Sequence, residues 1–190
     1  MWRRLGTAVA LAATLGAAAS AAPPRTLDQR VAARLGADPK LAASLGKPAP
    51  QMAALGWMVG RWEVSASTAG KADAEKGQSV VTPALGGVWL EIRDTYPGGV
   101  QDIGYLTYDL VSRRWVSLSL DSLGNVNRTT SRGWVGGVAS FEGRAVIVGE
   151  PARLRQVIVR RSPVEYTVTN EERLAGAWRR LDQYRYRKQP

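Results

Sequence analysis

The chain has 190 residues, 45% of them hydrophobic, and it contains no cysteine and no histidine. Disulfides, zinc sites of His and Cys, Ser-His and Cys-His nucleophiles and an ordinary pH switch are therefore excluded. A formal charge of +10 favours anionic partners, but the arginines are dispersed and follow an export-type leader, so nucleic acid is not the partner expected.

Met1-Trp2-Arg3-Arg4 is a charged start, residues 5–19 are small and apolar without a charge, and Ala19-Ser20-Ala21 fits the small-x-small cleavage rule. Residues 1–21 are thus expected to be a signal peptide cut after Ala21, giving a periplasmic or secreted protein with no membrane span once the leader is removed. The apolar stretch falls short of the ~20 residues a spanning helix needs. With no cysteine beside the cut, a lipid anchor is excluded.

Residues 22–50 read as a helical arm and linker. Thr26-Leu27-Asp28-Gln29 has the form of a capping box. Leu27, Val31 and Leu35 recur at helical spacing; Gly36 stops that helix, and Pro39 starts a shorter one with Leu41 and Leu45 on its apolar side. Lys47-Pro48-Ala49-Pro50 is the linker.

From residue 51 the period changes. Met52, Leu55 and Met58 fit one helical turn closing the end of a barrel. Residues 61–67 then alternate, with Trp62, Val64 and Ala66 on one face and Arg61, Glu63 and Ser65 on the other, the period-2 pattern of a half-buried strand. Strand-like runs follow at 78–82, 88–96, 102–108, 115–121, 126–135, 139–148, 154–161, 164–170 and 178–187, separated by turn signals such as Pro97-Gly98-Gly99, Gly124-Asn125 and Gly136-Gly137. Short strands at such regular intervals with only local connections predict an all-β fold: residues 51–190 form an antiparallel meander of about ten strands closed as a barrel. Charges on both faces of many strands, as in Glu91-Ile92-Arg93, argue against an outer-membrane barrel.

Two details carry a resemblance. Gly60-Arg61-Trp62, after a helical turn and opening the first strand, resembles the Gly-x-Trp entry of lipocalin-like (calycin) barrels. The resemblance implies that the glycine permits the tight helix-to-strand passage, that Trp62 plugs the barrel end, and that an arginine of the last strand, Arg185 or Arg187, covers it. Gly86-Gly87-Val88-Trp89-Leu90-Glu91, Ile103-Gly104-Tyr105 with Tyr108-Asp109, Asp121-Ser122-x-Gly124 and Tyr184-x-Tyr186-Arg187 resemble, in order and spacing, an uncharacterised bacterial family of exported calycin-like barrels. That family has no settled activity, so the resemblance implies a fold. Related haem binders of the nitrobindin kind ligate iron through histidine, which this chain lacks. A haem held by Tyr105 or Tyr166 is not expected, nor is any other cofactor or metal.

A barrel of this strand number has room for a small ligand. The expected function is non-catalytic binding of a small apolar or anionic ligand in the interior, with arginines near the cavity for an anion. Ligand-lining candidates are Glu91, Tyr105, Trp115, Ser119, Asp121, Arg160 and Tyr166. Trp115, Ser117, Ser119 and Asp121 share one face of their strand, against Val116, Leu118 and Leu120; which face is inward decides whether the lumen is polar or filled. An enzyme using Asp121 and Glu91 as acid and base is the alternative. The simpler reading of both is a structural polar ladder satisfied by Arg93, Arg128, Arg160 or hydroxyls. An envelope protein acting through its N-terminal arm is a third possibility.

Overall fold

The computed structural model describes residues 25–68, 71–72 and 75–190; the expected signal peptide lies outside the described residues. The described chain divides into two units, one ending at Ala37 and the other running from Asp38 to Pro190. The first carries α1 (Leu27–Ala37). Its start is a capping box: the Thr26 N–H donates to Gln29 Oε1 at 2.9 Å and the Gln29 N–H to Thr26 Oγ1 at 3.3 Å. Among the described residues no helix is long and apolar enough to cross a membrane.

The second unit begins with α2 (Pro39–Ser44), capped by Asp38, whose carboxylate accepts from the Leu41 N–H at 2.9 Å. A 3₁₀ segment, Pro50–Met58, leads into the strands β1 (Gly60–Thr68), β2 (Lys71–Ala72), β3 (Gly77–Ala84), β4 (Trp89–Thr95), β5 (Gln101–Asp109), β6 (Arg114–Asp121), β7 (Val126–Ser131), β8 (Trp134–Val135), β9 (Val138–Ile147), β10 (Glu150–Ser162), β11 (Glu165–Leu174) and β12 (Ala177–Lys188). Every pairing is antiparallel. β2 and β8 are short additions to β1 and β9, and the other ten strands form a closed ring, in which β1 lies beside β12 and the β9–β10 hairpin completes the circuit. Closure leaves no long unpaired edge, which a disulfide-free sheet would otherwise expose. The ring is the meander that strand spacing predicts.

One end of the barrel is shut. Met52, Leu55 and Met58 turn inward from the 3₁₀ segment, and Trp62 is fully buried beneath them. The indole N–H of Trp62 donates to the Met58 carbonyl at 2.8 Å, so its one polar atom is satisfied inside the core. The cation above it is not the one the resemblance implied. Lys188 Nζ lies 5.2 Å from the Trp62 ring centre and donates to the Trp57 carbonyl at 3.2 Å. Trp62 is in register with Lys188, and because Tyr184, Tyr186 and Lys188 share a phase on β12, Arg185 and Arg187 fall on the outer face. There both pair with Glu165, at 3.2 and 3.3 Å.

The phase of β6 is the informative one. Its polar face, Ser117, Ser119 and Asp121, turns into the barrel. Val116 and Leu118 turn outward into a groove of about 370 Å³ that they share with Leu41, Leu45 and Val88. Leu41 and Val116 are buried there. Apolar cover from outside thus releases the interior of β6 to be polar.

Candidate functional site

The barrel interior holds a cavity of about 400 Å³. Its closed end is made by Met58, Leu106, Phe141 and Tyr166; its other end is bordered by the strand-joining turns, where the lining residues Leu123 and Val126 are solvent-exposed. The lumen therefore runs from an apolar floor to a mouth among the hairpins.

Strand register builds the middle. Asp94 on β4 pairs across with Asp102 on β5, and Asp102 pairs in turn with Asp121 on β6. All three line the cavity. Neighbouring strands are ~4.8 Å apart, so one rung of the sheet carries three carboxylates side by side. A fourth, Asp182 on β12, lines the same cavity, and the lining contains no lysine or arginine.

Each carboxylate has a different environment. Asp94 is 5% exposed, and one of its oxygens, Oδ2, accepts from the hydroxyls of Tyr96 at 2.9 Å and Tyr186 at 3.2 Å, the latter reaching across the interior. Its other oxygen, Oδ1, is buried, and Ser79, paired with Asp94 across from β3 and itself buried, supplies a further hydroxyl to the carboxylate. Burial raises the Asp94 carboxyl above the usual range, while the hydroxyls oppose the rise. Asp102 is pushed up to about 7, first by burial and then by the charge of Asp94, against a hydrogen bond from Ser119. Asp182 is also raised by burial, opposed by Asn170, whose Nδ2 donates to it at 2.8 Å, and by Tyr184. Burial raises Tyr96, Tyr166 and Tyr186 well above the ordinary phenol value, which keeps them neutral donors. Asp121 instead caps its own hairpin, accepting from the Leu123 and Asn125 backbone N–H groups at 2.9 and 3.0 Å and from Asn125 Nδ2 at 2.7 Å.

The sequence candidates separate accordingly. Ser119, Asp121 and Tyr166 line the cavity. Tyr166 stacks on Tyr186, ring centres 4.3 Å apart, and meets Trp62 edge-on at 4.8 Å. Trp115 is a core residue, 4% exposed, packed edge-on to Tyr108 at 5.3 Å. Arg160 is exposed at the closed end, its guanidinium 5.1 Å from the Trp57 ring. Glu91 and Tyr105 are on the outer face, because Leu90, Ile92 and Asp94 take the inner positions of β4. There the Tyr105 hydroxyl donates to Glu91 Oε2 at 3.0 Å and Arg93 pairs with Oε1. Arg93 and Tyr105 together hold the Glu91 carboxyl below its usual range. Glu91 and Asp121 consequently cannot form an acid–base pair across one ligand. Among the described residues no group of carboxylates is arranged to hold a metal ion.

The residues that the sequence reading passed over are Asp94, Asp102, Asp182 and the tyrosines around them. A signal existed: Leu90, Ile92 and Asp94 are in phase, so a carboxylate continues an apolar stripe, and Asn170 continues that of Tyr166 and Val168 in the same way.

No family model matches the chain, and no curated protein does. Among solved structures it is similar to Rv2717c from M. tuberculosis, with a TM-score of 0.53 at 14% identity, over 76% of this chain and 100% of that one. At such identity the likeness is one of barrel fold.

Proposed function

We propose that this protein is an exported, calycin-like carrier that holds a small organic molecule in its barrel without transforming it. The observation that carries this reading is the cavity itself. Protein interiors pack to crystal-like density with few voids, yet here about 400 Å³ stays open, within the ~300–1,000 Å³ of small-molecule sites. Its lining sets polar groups among the apolar ones, with four aspartates, the amides of Asn127 and Asn170 and the hydroxyls of Ser117 and Ser119. A few placed polar groups in a mostly apolar pocket are what orients a small-molecule guest. The leader-like residues 1–21 support export, and the Gly60-Arg61-Trp62 entry under a cation supports the calycin relationship. Separation of Glu91 from Asp121 on opposite faces of the wall supports binding over catalysis.

The test is a screen of the chain lacking residues 1–21 against small organic compounds, read by melting temperature and intrinsic fluorescence. At least one chemical class should bind at one molecule per barrel, and Ser117→Trp, which fills the lumen, should abolish that binding while the barrel still melts cooperatively. Binding unaffected by Ser117→Trp, no binding by any class, or conversion of the bound compound would overturn the reading.

A further inference from the structure

Resting on the carrier reading above, we propose that the guest is an organic amine, whose ammonium group docks on the Asp94–Asp102 rung and whose apolar body lies on the tyrosines and phenylalanine below.

Charge argues first. The chain has 26 lysines and arginines against 16 acids, yet none of those cations lines the cavity while four aspartates do. The interior is opposite in sign to the molecule as a whole. A carboxylate or phosphate guest would meet four aspartates and no cation there, which disfavours the arginine-held anion expected from the sequence.

The hydrogen-bonding inventory argues independently. Acceptors dominate the lining: four aspartates and the amide oxygens of Asn127 and Asn170. The orientation of the Asn170 amide is set by Asp182, which accepts from its nitrogen. Two of the phenol donors are committed, since Tyr96 and Tyr186 both donate to Asp94 Oδ2. Such a lining favours a guest that brings donors and no acceptor of its own. An alkylammonium has three N–H donors and no acceptor. The register places Asp94 and Asp102 one strand apart, so a single ammonium between them would touch both carboxylates. Asp94 is buried and Asp102 half-buried, which makes a charge-assisted bond at the rung strong.

The rest of the lumen suits the remainder of such a molecule. Tyr166 and Tyr186, stacked at 4.3 Å, and Phe141 make the cavity's lower wall aromatic. Ring faces attract a cation as well as covering a hydrocarbon.

Calorimetry on the chain lacking residues 1–21, at pH 8, should compare matched triplets: phenethylamine, 2-phenylethanol and 3-phenylpropionate, with butylamine, butanol and butyrate as the aliphatic set. Each amine is expected to bind at least tenfold more tightly than its alcohol, and the carboxylates not at all. Asp94→Asn and Asp102→Asn should each weaken amine binding at least tenfold while leaving the alcohol unchanged and the melting temperature equal or higher; the second variant decides if the first fails to fold. Tighter binding of alcohols or carboxylates, or amine binding indifferent to both substitutions, would overturn this inference while leaving the carrier reading standing. Binding of sodium, potassium or calcium chloride alone at the same rung, displaced by no amine, would also overturn it. Silence from both amines overturns this inference, while the carrier reading then rests on the wider screen.

Discussion

Trp62 does at one position what a disulfide does elsewhere: it ties the first strand to the last. Its ring is fully buried, its N–H is met by Met58, Tyr166 packs against its edge, and Lys188 lies over it. In a chain without cysteine this contact set has no covalent substitute. Trp62→Ala is expected to cost about 4 kcal/mol, a large part of the ~5–15 kcal/mol that separates a folded domain from its unfolded chain. Urea titration would read this as a much lower midpoint; a shift under about 1 kcal/mol would mean that the stopper is dispensable. This residue was legible in the sequence because the helical turn, the glycine and the tryptophan stand together. Its cation was not, because Arg185, Arg187 and Lys188 differ only in phase, and phase depends on the partner strand. Asp94 was illegible for a related reason. A lone aspartate near a Pro-Gly-Gly turn reads as turn chemistry, and only pairing with Asp102 reveals it as part of a rung.

Among elements, the strands were easier to read than the faces. Turn residues and alternation marked the ten runs that close the ring, but alternation says that two faces differ, not which is inside. On β6 the apolar face is outward, covered from Leu41 and Leu45, and a pattern alone would assign it to the core. The outer wall shows a second consequence of register. Arg128 on β7 pairs across with Arg144 on β9, which pairs with Arg153 on β10. All three are exposed, and none forms an ion pair among the described residues. Two residues along, the rung reads Glu142, Arg155 and Glu171, and Arg155 pairs with Glu171. Like charges directly opposite on a sheet are destabilising. Arg144→Glu replaces two repulsions with two attractions, and should raise the melting temperature by about 1–3 °C at low salt. The gain should shrink as salt screens it. A melting temperature that falls, or a gain indifferent to salt, would show that this arginine row does not strain the wall.

For the molecule as a whole, the acidic interior sets how stability responds to pH. Asp102 is held near 7 in the folded barrel, whereas in the unfolded chain it returns to the ordinary carboxylate value of about 4. Between those values the folded state binds more protons than the unfolded one, so stability falls as pH rises and levels off only once Asp102 is fully ionised, above about pH 8. Asp94 and Asp182, also raised by burial, act in the same direction. The groups facing Asp102 reinforce this: Asp94 and Tyr96 on the β4 side, Ser119 and Asp121 on β6, and Asp182 and Tyr186 on β12 bring no positive charge. Glu91 and Asp109 are lowered instead, and their contribution disappears only as pH falls through the acid range below about 4. From pH 5 to 8 the ligand-free barrel should therefore lose melting temperature steadily. Asp102→Asn should flatten that slope and leave the variant the more stable of the two at pH 8. An amine guest should reverse the trend, because it binds the ionised rung and so gains affinity over the same range in which the empty barrel weakens. Melting curves at pH 5, 6, 7 and 8, for both chains with and without phenethylamine, measure all of this together. A wild-type profile that rises toward pH 8 without ligand would mean that the rung is already neutralised from within, and that the interior is not the source of the pH response.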